Sequence, residues 1–300
     1  MNITLSNGDC IRGDLIVSAV LRTDLVPVPI TLECTVRYDK DMEPLLKEGC
    51  IVRAGLDNPE LRIVWASPDR GKFGLEQGSR SVGTISFVAM LDACANIAFR
   101  RSKAIIKEGS TLGAIYRACG AQVNIESDFT VKRFACFVGG VPSYHIAQAL
   151  QEEAGALVWQ YQAKKLKFMR LPDLMGTKPK DAMGDDGIER VKSGFLERHE
   201  VPWFYSTDDT GAVVFGNRQK TRSAMYTPLK SSSTLNNMTR ALIHAGTSNG
   251  RLNLTLNAGD VIDVAGKSLV IVTTAHVFNS GTDGTGQEQY SRLWLHSLES

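Results

Sequence analysis

Alternating apolar and polar positions dominate the first third of the chain. They predict strands separated at short intervals by turn residues such as Asn7-Gly8 and Asp57-Asn-Pro59. Period-two alternation with frequent tight turns is typical of antiparallel sheets that pack one face on a core. Residues 1–100 are therefore predicted to form an all-β unit, with strands at 3–5, 15–21, 30–38, 50–54, 61–66 and 82–91.

The apolar positions change to a helical period in the middle of the chain. One helix is predicted between Ser110, expected as its cap, and Gly120, with an apolar face of Leu112, Ile115, Tyr116 and Cys119. A second is predicted from a Ser143 cap to Gly155, with an apolar face of Ile146, Ala149, Leu150 and Ala154.

Short apolar strands surround these helices, and the last third of the chain returns to alternation. Strands predicted at 131–138, 157–161 and 165–170 complete a small α/β module, which with a connector at 172–192 extends over residues 101–190. Residues 191–300 are predicted as a second β unit, with strands at 251–258, 260–264, 268–278 and 289–298 and polar loops at 231–237, 247–249 and 279–287.

The two β units contain a similar short sequence. Leu46 to Val52 and Leu256 to Ile262 share the spacing apolar-x-x-Gly-x-apolar-apolar, with glycines at 49 and 259. A further glycine and another apolar strand follow in each unit. Two interpretations remain open, namely an internal duplication of a barrel-like unit and a chance match between two hairpin-rich sheets.

Composition and charge exclude several classes of protein. Hydrophobic residues make up 43% of the 300 residues, and 34 Lys and Arg offset 32 Asp and Glu, so neither disorder nor a polyanion-binding surface is expected. Charged residues interrupt the N-terminal segment at Asp9, Arg12 and Asp14, so we expect no secretory leader. The longest apolar run, around Ile85 to Leu91, is far shorter than a membrane span, so we expect no membrane anchor. The six cysteines are widely spaced, which favours buried free thiols in a reducing cytosol.

One motif suggests catalysis. Gly246-Thr-Ser248-Asn-Gly250 fits G-x-S-x-G, and Asp260 or Asp263 and then His276 follow in the chain order of an α/β-hydrolase triad. A nucleophile elbow needs a helix after the serine, whereas an alternating apolar segment follows here. A polar turn is therefore favoured, and a tail-associated hydrolase is kept as an alternative function.

Other residue types give little support for a chemical site. The histidines, at positions 145, 199, 244, 276 and 296, lack metal-ligand spacing, and those at 276 and 296 are expected to be packed or interface residues. The paired carboxylates at 185–186 and 208–209 fit solvated turns, and no phosphate-binding loop is found. We expect no catalytic, cofactor or metal site and no enzymatic activity, which favours an assembly or binding protein.

Two segments resemble a known family. The middle segment, Ile106-Lys-Glu-Gly-Ser110-Thr-Leu-Gly-Ala-Ile-Tyr-Arg-Ala-Cys-Gly120 followed by Gly139-Gly-Val-Pro-Ser-Tyr-His-Ile-Ala-Gln-Ala-Leu-Gln-Glu-Glu-Ala-Gly155, is similar to the centre of bacteriophage tail baseplate hub proteins. That group includes the late control gene D proteins and the hub portion of VgrG spikes. The segment Leu256-Asn-Ala-Gly259-Asp-Val-Ile262, with the strands around His276 and at 290–298, looks like the last barrel of the family.

The resemblance implies a mainly β fold with an α+β insertion, in which two tube-like antiparallel β-barrels, at 1–100 and 191–300, flank the α/β module. It also implies a homotrimeric baseplate hub that joins the hexameric tail tube to the trimeric central spike. DNA would pass through its channel without specific binding. The expected location is the virion tail tip, after synthesis in the host cytoplasm.

The resemblance implies further partners as well. Besides the tube and spike proteins, these are other baseplate proteins and the tape-measure protein. Because the family's spike barrel, β-helical needle and lysozyme-like or peptidase domains have no counterpart in the 300 residues, we expect separate proteins to supply the spike and any wall-cleaving activity.

A carbohydrate-binding β module is a further alternative. Its stacking platforms would be Trp65, Trp203, Tyr205 and Trp294. Trp65 and Trp294 lie in apolar strands and are expected in the core or in an interface. Trp203 and Tyr205 follow Pro202 and are expected to be accessible.

Overall fold

The computed structural model describes residues 2–69, 83–191, 201–218, 222–281 and 286–299, and these residues form a mainly β protein with five α-helices. The predicted fold class, mainly β with a smaller helical part, is confirmed. No helix within the described ranges has the length and apolar content to cross a membrane.

The first β unit is antiparallel throughout. Its strands are β1 (Ile3–Thr4), β2 (Ile16–Asp24), β3 (Ile30–Arg37), β4 (Ile51–Ala54), β5 (Glu60–Asp69) and β6 (Thr84–Leu91), in the spatial order β1-β4-β5-β6-β3-β2. Alternate residues are buried along the long strands, as at Ile85, Phe87 and Ala89 of β6. The predicted strands are confirmed, except that Val82 lies outside the described residues.

The α/β module follows the first unit. Its elements are α1 (Asp92–Ala95), β7 (Ile105–Thr111), α2 (Leu112–Ala118), β8 (Asn124–Ser127), β9 (Thr130–Cys136), α3 (Pro142–Glu152), β10 (Gly155–Gln160), β11 (Lys165–Arg170) and α4 (Leu171–Met175). β7 pairs with β9, and β10, β11 and β8 form a second small sheet. The module shares a core with the first unit, where the buried Tyr116 hydroxyl donates to the Pro27 carbonyl at 3.1 Å.

Both predicted helices are confirmed, but their predicted caps are wrong. Ser110 lies in β7, and the Thr111 side chain instead accepts a hydrogen bond from the Ala114 N–H. Ser143 lies inside α3, which begins at Pro142 and has no side-chain cap. Proline suits the first helical position because its φ is already helical and an N–H there would have no partner in the helix.

The segment predicted as a connector contains two strands, and a small lobe follows it. The strands are β12 (Asp181–Met183) and β13 (Ile188–Arg190). In the lobe, β14 (Trp203–Thr207) lies between β15 (Val213–Phe215) and β16 (Ala224–Tyr226) and packs against α5 (Ser232–Thr239). The predicted polar loop at 231–237 is therefore wrong. Ser231 caps α5 by accepting a hydrogen bond from the Thr234 N–H.

The second β unit repeats the strand order of the first. With β17 (Ala241–Arg251), β18 (Val261–Val264), β19 (Lys267–Asn279) and β20 (Glu288–Glu299), its order is β12-β18-β19-β20-β17-β13. The units differ at one edge, since β1 is antiparallel to β4 whereas β12 is parallel to β18. The division into three domains stays a prediction, but residues 181–190 of the predicted connector contribute β12 and β13 to this unit.

Two sequence predictions in the second unit are wrong. Residues 247–249, predicted as a loop, lie in β17, and most of the strand predicted at 251–258 is irregular. The Asn253 side-chain oxygen accepts hydrogen bonds from the N–H and hydroxyl of Thr255, and the Leu256 N–H bonds the Asn253 carbonyl. This turn chemistry overrides the alternation of the leucines.

One strand pair joins the two units into a continuous sheet. The second half of β19 pairs antiparallel with β2, from Thr273 opposite Asp24 to Asn279 opposite Ser18. The sheet therefore runs in the order β1-β4-β5-β6-β3-β2-β19-β20-β17-β13.

Candidate functional site: an assembly surface

The similar sequences at 46–52 and 256–262 adopt the same structure. Gly49 and Gly259 have φ values of +88° and +93°, and each glycine N–H donates at 2.8 Å, to the carbonyls of Ile63 and Ile271 respectively. Each isoleucine N–H donates at 2.9 Å to the carbonyl of the residue after the glycine. Together with the shared strand order, this agreement supports internal duplication over a chance match.

A β-bulge fixes which residues of the two units correspond. It lies between Ile63 and Trp65 in β5, and between Ile271 and Thr273 in β19. Because register is continuous beyond the bulge, β5 corresponds to β19 residue by residue, and β6, β3 and β2 correspond to β20, β17 and β13.

The corresponding long strands differ in what covers their edges. In β19, pairing with β2 leaves Thr274 0%, Ala275 6% and His276 1% exposed. In β5, the corresponding half has an open edge within the described part of the chain, and Trp65 is 48% exposed. At the other end of the sheet, no strand among the described residues pairs with β13 on the side away from β17.

The sheet face opposite the core is largely polar. Arg22 and Asp24 of β2 form an ion pair there at 3.1 Å, and the Thr273 hydroxyl donates to Asp24. Acidic, basic and hydroxyl side chains mix on this polar face, which includes Ser18, Arg22, Asp24, Glu33, Thr35, Ser86, Thr273 and Arg292. The face therefore has no strong charge of either sign.

A cluster of aromatic rings covers the outer face of the lobe. Tyr205 lies at ring-centroid distances of 6.0 Å from Trp203, 6.4 Å from Phe215 and 5.4 Å from Tyr226. The Arg218 guanidinium lies 3.6 Å from the centre of the Phe215 ring. Trp203 and Tyr205, expected to be accessible, are half-buried by one another and by these neighbours. Tyr226 is 48% exposed.

The residues of the candidate hydrolase triad lie apart, each with other partners. Ser248 lies inside β17 and donates to the Gly187 carbonyl at 3.0 Å. His276 Nδ1 is hydrogen-bonded to the Ser291 hydroxyl at 2.8 Å, and burial lowers the pKa of His276 to about 4. Asp260 pairs with Lys180 at 2.8 Å, and Asp263 accepts from the Gly266 N–H. The motif therefore lacks both a nucleophile elbow and the serine–histidine hydrogen bond of a triad.

Two of the remaining histidines and one carboxylate of each pair have structural partners. His296 stacks on His244 at 5.1 Å, and burial, with the neighbouring His244, lowers the pKa of His296 to about 4. Asp208 accepts hydrogen bonds from Thr210 and from backbone N–H groups of its own turn, which lower its pKa. Asp185 pairs with Arg190. His199 lies outside the described residues, within which no cluster of three or more potential metal ligands occurs.

The cysteine prediction is confirmed for four of the six thiols. Cys34, Cys94, Cys119 and Cys136 are free and buried, and burial raises the pKa of Cys94 to about 12. Cys10 is exposed and Cys50 is half-buried, so for these two the prediction is wrong.

Comparison with solved structures shows the fold of phage tail and type VI secretion proteins. The tail protein from Neisseria meningitidis MC58 matches with a TM-score of 0.62 at 11% identity, over 99% of this chain and 95% of that one. The 43 kDa tail protein of prophage MuSo2 from Shewanella oneidensis matches with a TM-score of 0.62 at 13% identity, over 98% and 97%.

A third structure extends this likeness to secretion systems. It is an E. coli component of the type VI secretion system, described as structurally similar to the T4 bacteriophage tail proteins gp27 and gp5. It matches with a TM-score of 0.55 at 9% identity, over 95% of this chain and 74% of that one. No protein-family model and no curated protein sequence matches the chain.

Proposed function

We propose that the chain is a structural hub of a tail baseplate. In this proposal a homotrimer joins a hexameric tail tube to a trimeric central spike and leaves a channel for DNA. The observation that carries the proposal is the duplicated β unit, because three chains with two corresponding units each present six similar units around one axis. The shared fold with tail proteins supports a structural role in a tail.

The polar face of the sheet is the proposed lining of the channel. Its mixture of Glu33, Asp24, Arg22 and Arg292 with hydroxyl groups offers no array of cations to hold phosphates. DNA would therefore pass without specific binding. The partners in this proposal are the tube and spike proteins, with other baseplate and tape-measure proteins, in the virion tail.

Light scattering with and without the proposed partners tests the hub. The purified chain, or its complex with the spike protein, should contain three copies of the 32.8 kDa chain. A chain that stays monomeric in the presence of both spike and tube proteins would overturn the proposal.

Glycan binding is a second candidate function, favoured by the aromatic cluster of the lobe. Clustered aromatic rings beside an arginine offer stacking and polar contacts to a sugar. Binding of bacterial surface glycans should then weaken at least tenfold in Tyr226→Ala, whereas Trp294→Phe, in β20 outside the lobe, should bind as the parent chain does. Equal binding by both variants would exclude the lobe as the glycan site.

The hydrolase alternative has a separate test. Because Ser248 bonds a backbone carbonyl within its sheet, Ser248→Ala should leave any hydrolytic activity of the purified chain unchanged. Loss of such an activity with assembly intact would restore the alternative.

A further inference from the structure

The junction between the two units provides a template for contact between chains. Inside one chain, β2 of the first unit covers the second half of β19 in the second unit. By the correspondence of the units, β13 takes the place of β2, and β5 takes the place of β19. We propose that β13 of one chain pairs antiparallel with the second half of β5 in a neighbouring copy, which rests on the proposed homotrimer and assigns its interface.

The register of this contact follows from the β-bulges. Arg190 lies opposite Gly246 as Leu21 lies opposite Leu32, so Val191 corresponds to Arg22. Ser67 corresponds to Ala275, because each lies four residues beyond the isoleucine that precedes its bulge. Since Arg22 and Ala275 face each other within the chain, Val191 and Ser67 face each other between chains.

The open edge of β5 has features that suit this partner. Trp65, at the bulge, exposes 48% of its surface, and a strand laid along β5 would cover part of its ring. Pro68 has no N–H to donate, and by register its backbone faces the open edge. The Pro68 carbonyl can still accept a hydrogen bond from the neighbouring chain. The proposed strand pair therefore has one backbone hydrogen bond fewer at Pro68 than the β2–β19 pair has at the corresponding His276.

The geometry of the template makes the contact suitable for a disulfide test. The Leu25 N–H donates to the Val272 carbonyl, whereas the Asp24 N–H points away from β19 and donates to the Pro29 carbonyl. Hydrogen-bonded and non-hydrogen-bonded pairs alternate along an antiparallel ladder, so Arg22 and Ala275, like Asp24 and Thr273, form a non-hydrogen-bonded pair. Such pairs have Cα atoms about 4.5 Å apart, within the range of a disulfide. Inside one chain, β5 and β13 are seven strands apart, about 34 Å measured along the sheet, so we expect a Ser67–Val191 disulfide to join two chains.

The experiment is oxidation of Ser67→Cys/Val191→Cys by copper phenanthroline, followed by non-reducing electrophoresis. Dimers and trimers should form in high yield, and the series should end at the trimer because the ring closes. The single variants measure the background from the native thiols, of which Cys10 is the exposed one. Asp69→Cys/Val191→Cys, two residues out of register, should cross-link at least fivefold less.

The possible outcomes distinguish failure of the proposed interface from failure of the proposed hub. A trimer by light scattering without a register-specific cross-link would overturn the interface and leave the hub proposal intact. Cross-linked products that continue beyond the trimer would show an open helical contact and overturn ring closure. A chain that is monomeric with and without its partners, and does not cross-link, would overturn both proposals.

A charge change provides a second, independent measurement. In this register Glu189 lies opposite Asp69 of the neighbouring chain, a like-charged pair that weakens the contact. Glu189→Lys should therefore lower the trimer dissociation constant about two- to fivefold at low salt, and high salt should remove the difference. Weaker association in the variant would contradict the register.

Discussion

The two β units have the same strand order but different interiors. Ile85 in β6 corresponds to Ser291 in β20, and Cys34 in β3 corresponds to Ser248 in β17, and all four are buried. The first unit packs an almost continuous apolar core with the α/β module, whereas the second has smaller apolar clusters beside buried hydroxyl groups. One strand topology therefore accommodates two kinds of interior.

Buried hydroxyl groups accept hydrogen bonds from an irregular segment of the second unit. Residues 252–258 have no strand partner in the described part of the chain, so their backbone groups need other bonds. The Ser291 hydroxyl accepts from the Asn253 N–H at 2.8 Å, and the hydroxyl of Thr23, in β2 of the first unit, accepts from the Ala258 N–H at 2.9 Å. An irregular segment over a sheet therefore requires side-chain acceptors, whereas the N–H groups of a regular strand bond the neighbouring strand.

Replacing a buried residue of the first unit with its counterpart in the second should cause the largest loss of stability. Ile85→Ser removes a buried apolar side chain and buries a hydroxyl that has no designated hydrogen-bond partner. It should lower the free energy of unfolding by about 3–5 kcal/mol. Urea denaturation followed by tryptophan fluorescence measures this loss. Ile85→Val is the control and should lower the free energy of unfolding by about 1 kcal/mol. Similar losses in both variants would mean that the first unit tolerates a polar interior.

Acid should act on the second unit through its buried histidines. His276 and His296 have pKa values lowered by burial to about 4, so the unfolded chain binds more protons between about pH 4 and 6.5. Stability is therefore fully present above pH 6.5 and is lost as the pH falls towards 4. Between pH 7 and 5 each histidine should lower the free energy of unfolding by about 2 kcal/mol.

Denaturation of His276→Gln across the same pH range isolates one of these contributions. The variant should lose less stability than the parent between pH 7 and 5, by about 2 kcal/mol. Parallel curves for parent and variant would show that His276 does not titrate with a lowered pKa.

Removing one hydroxyl tests the support of the irregular segment. Ser291→Ala deprives the Asn253 N–H and His276 Nδ1 of a partner and should cost about 1–2 kcal/mol. Ser86→Ala, which breaks a half-buried hydroxyl pair with Thr35 in the first unit, is the matched control and should cost less. Hydrogen exchange at residues 252–258 should accelerate in Ser291→Ala alone, and unchanged exchange would contradict this role.

The smallest expected effect is the difference in stability between alanine variants of the two corresponding glycines, Gly49 and Gly259. Gly49→Ala places a Cβ in open space at positive φ and should cost about 1 kcal/mol. Gly259→Ala has the same backbone conformation, but its Cβ would lie 2.6 Å from a methyl group of Val158, so its cost should be larger. Equal thermal shifts for the two variants would show that the Val158 side chain moves away freely.

Local patterns predicted the fold where one strand face is buried and the other is not. β3, β6, β19 and β20 agree with their predicted bounds to within two residues at each described end, because alternation is a property of the strand itself. α5 was missed because its Ser, Thr and Asn residues resemble a loop, although Ser231 offered a capping signal. The leucines at 252–256 alternate without forming a strand, because Asn253 directs a turn.

The strand edges that we propose for assembly were less predictable than the strands themselves. The short repeat at glycines 49 and 259 indicated that two units correspond, and the hydrogen bonds of the structure agree with it. The pairing of β2 with β19 has no local signal, since contact between distant strands depends on edges that only the folded units expose. The open edges of β5 and β13 could be identified only once that pairing was known.

The same pairing sets an order of events during synthesis. Thr273 and Asp24 are 249 residues apart in the chain, so at about 5–20 residues per second β2 leaves the ribosome roughly 12–50 s before β19 does. Throughout that interval the unpaired edge of β2 can form backbone hydrogen bonds with another exposed strand. The ion pair of Arg22 with Asp24 places charge on that edge, which is how proteins discourage premature pairing of a waiting strand.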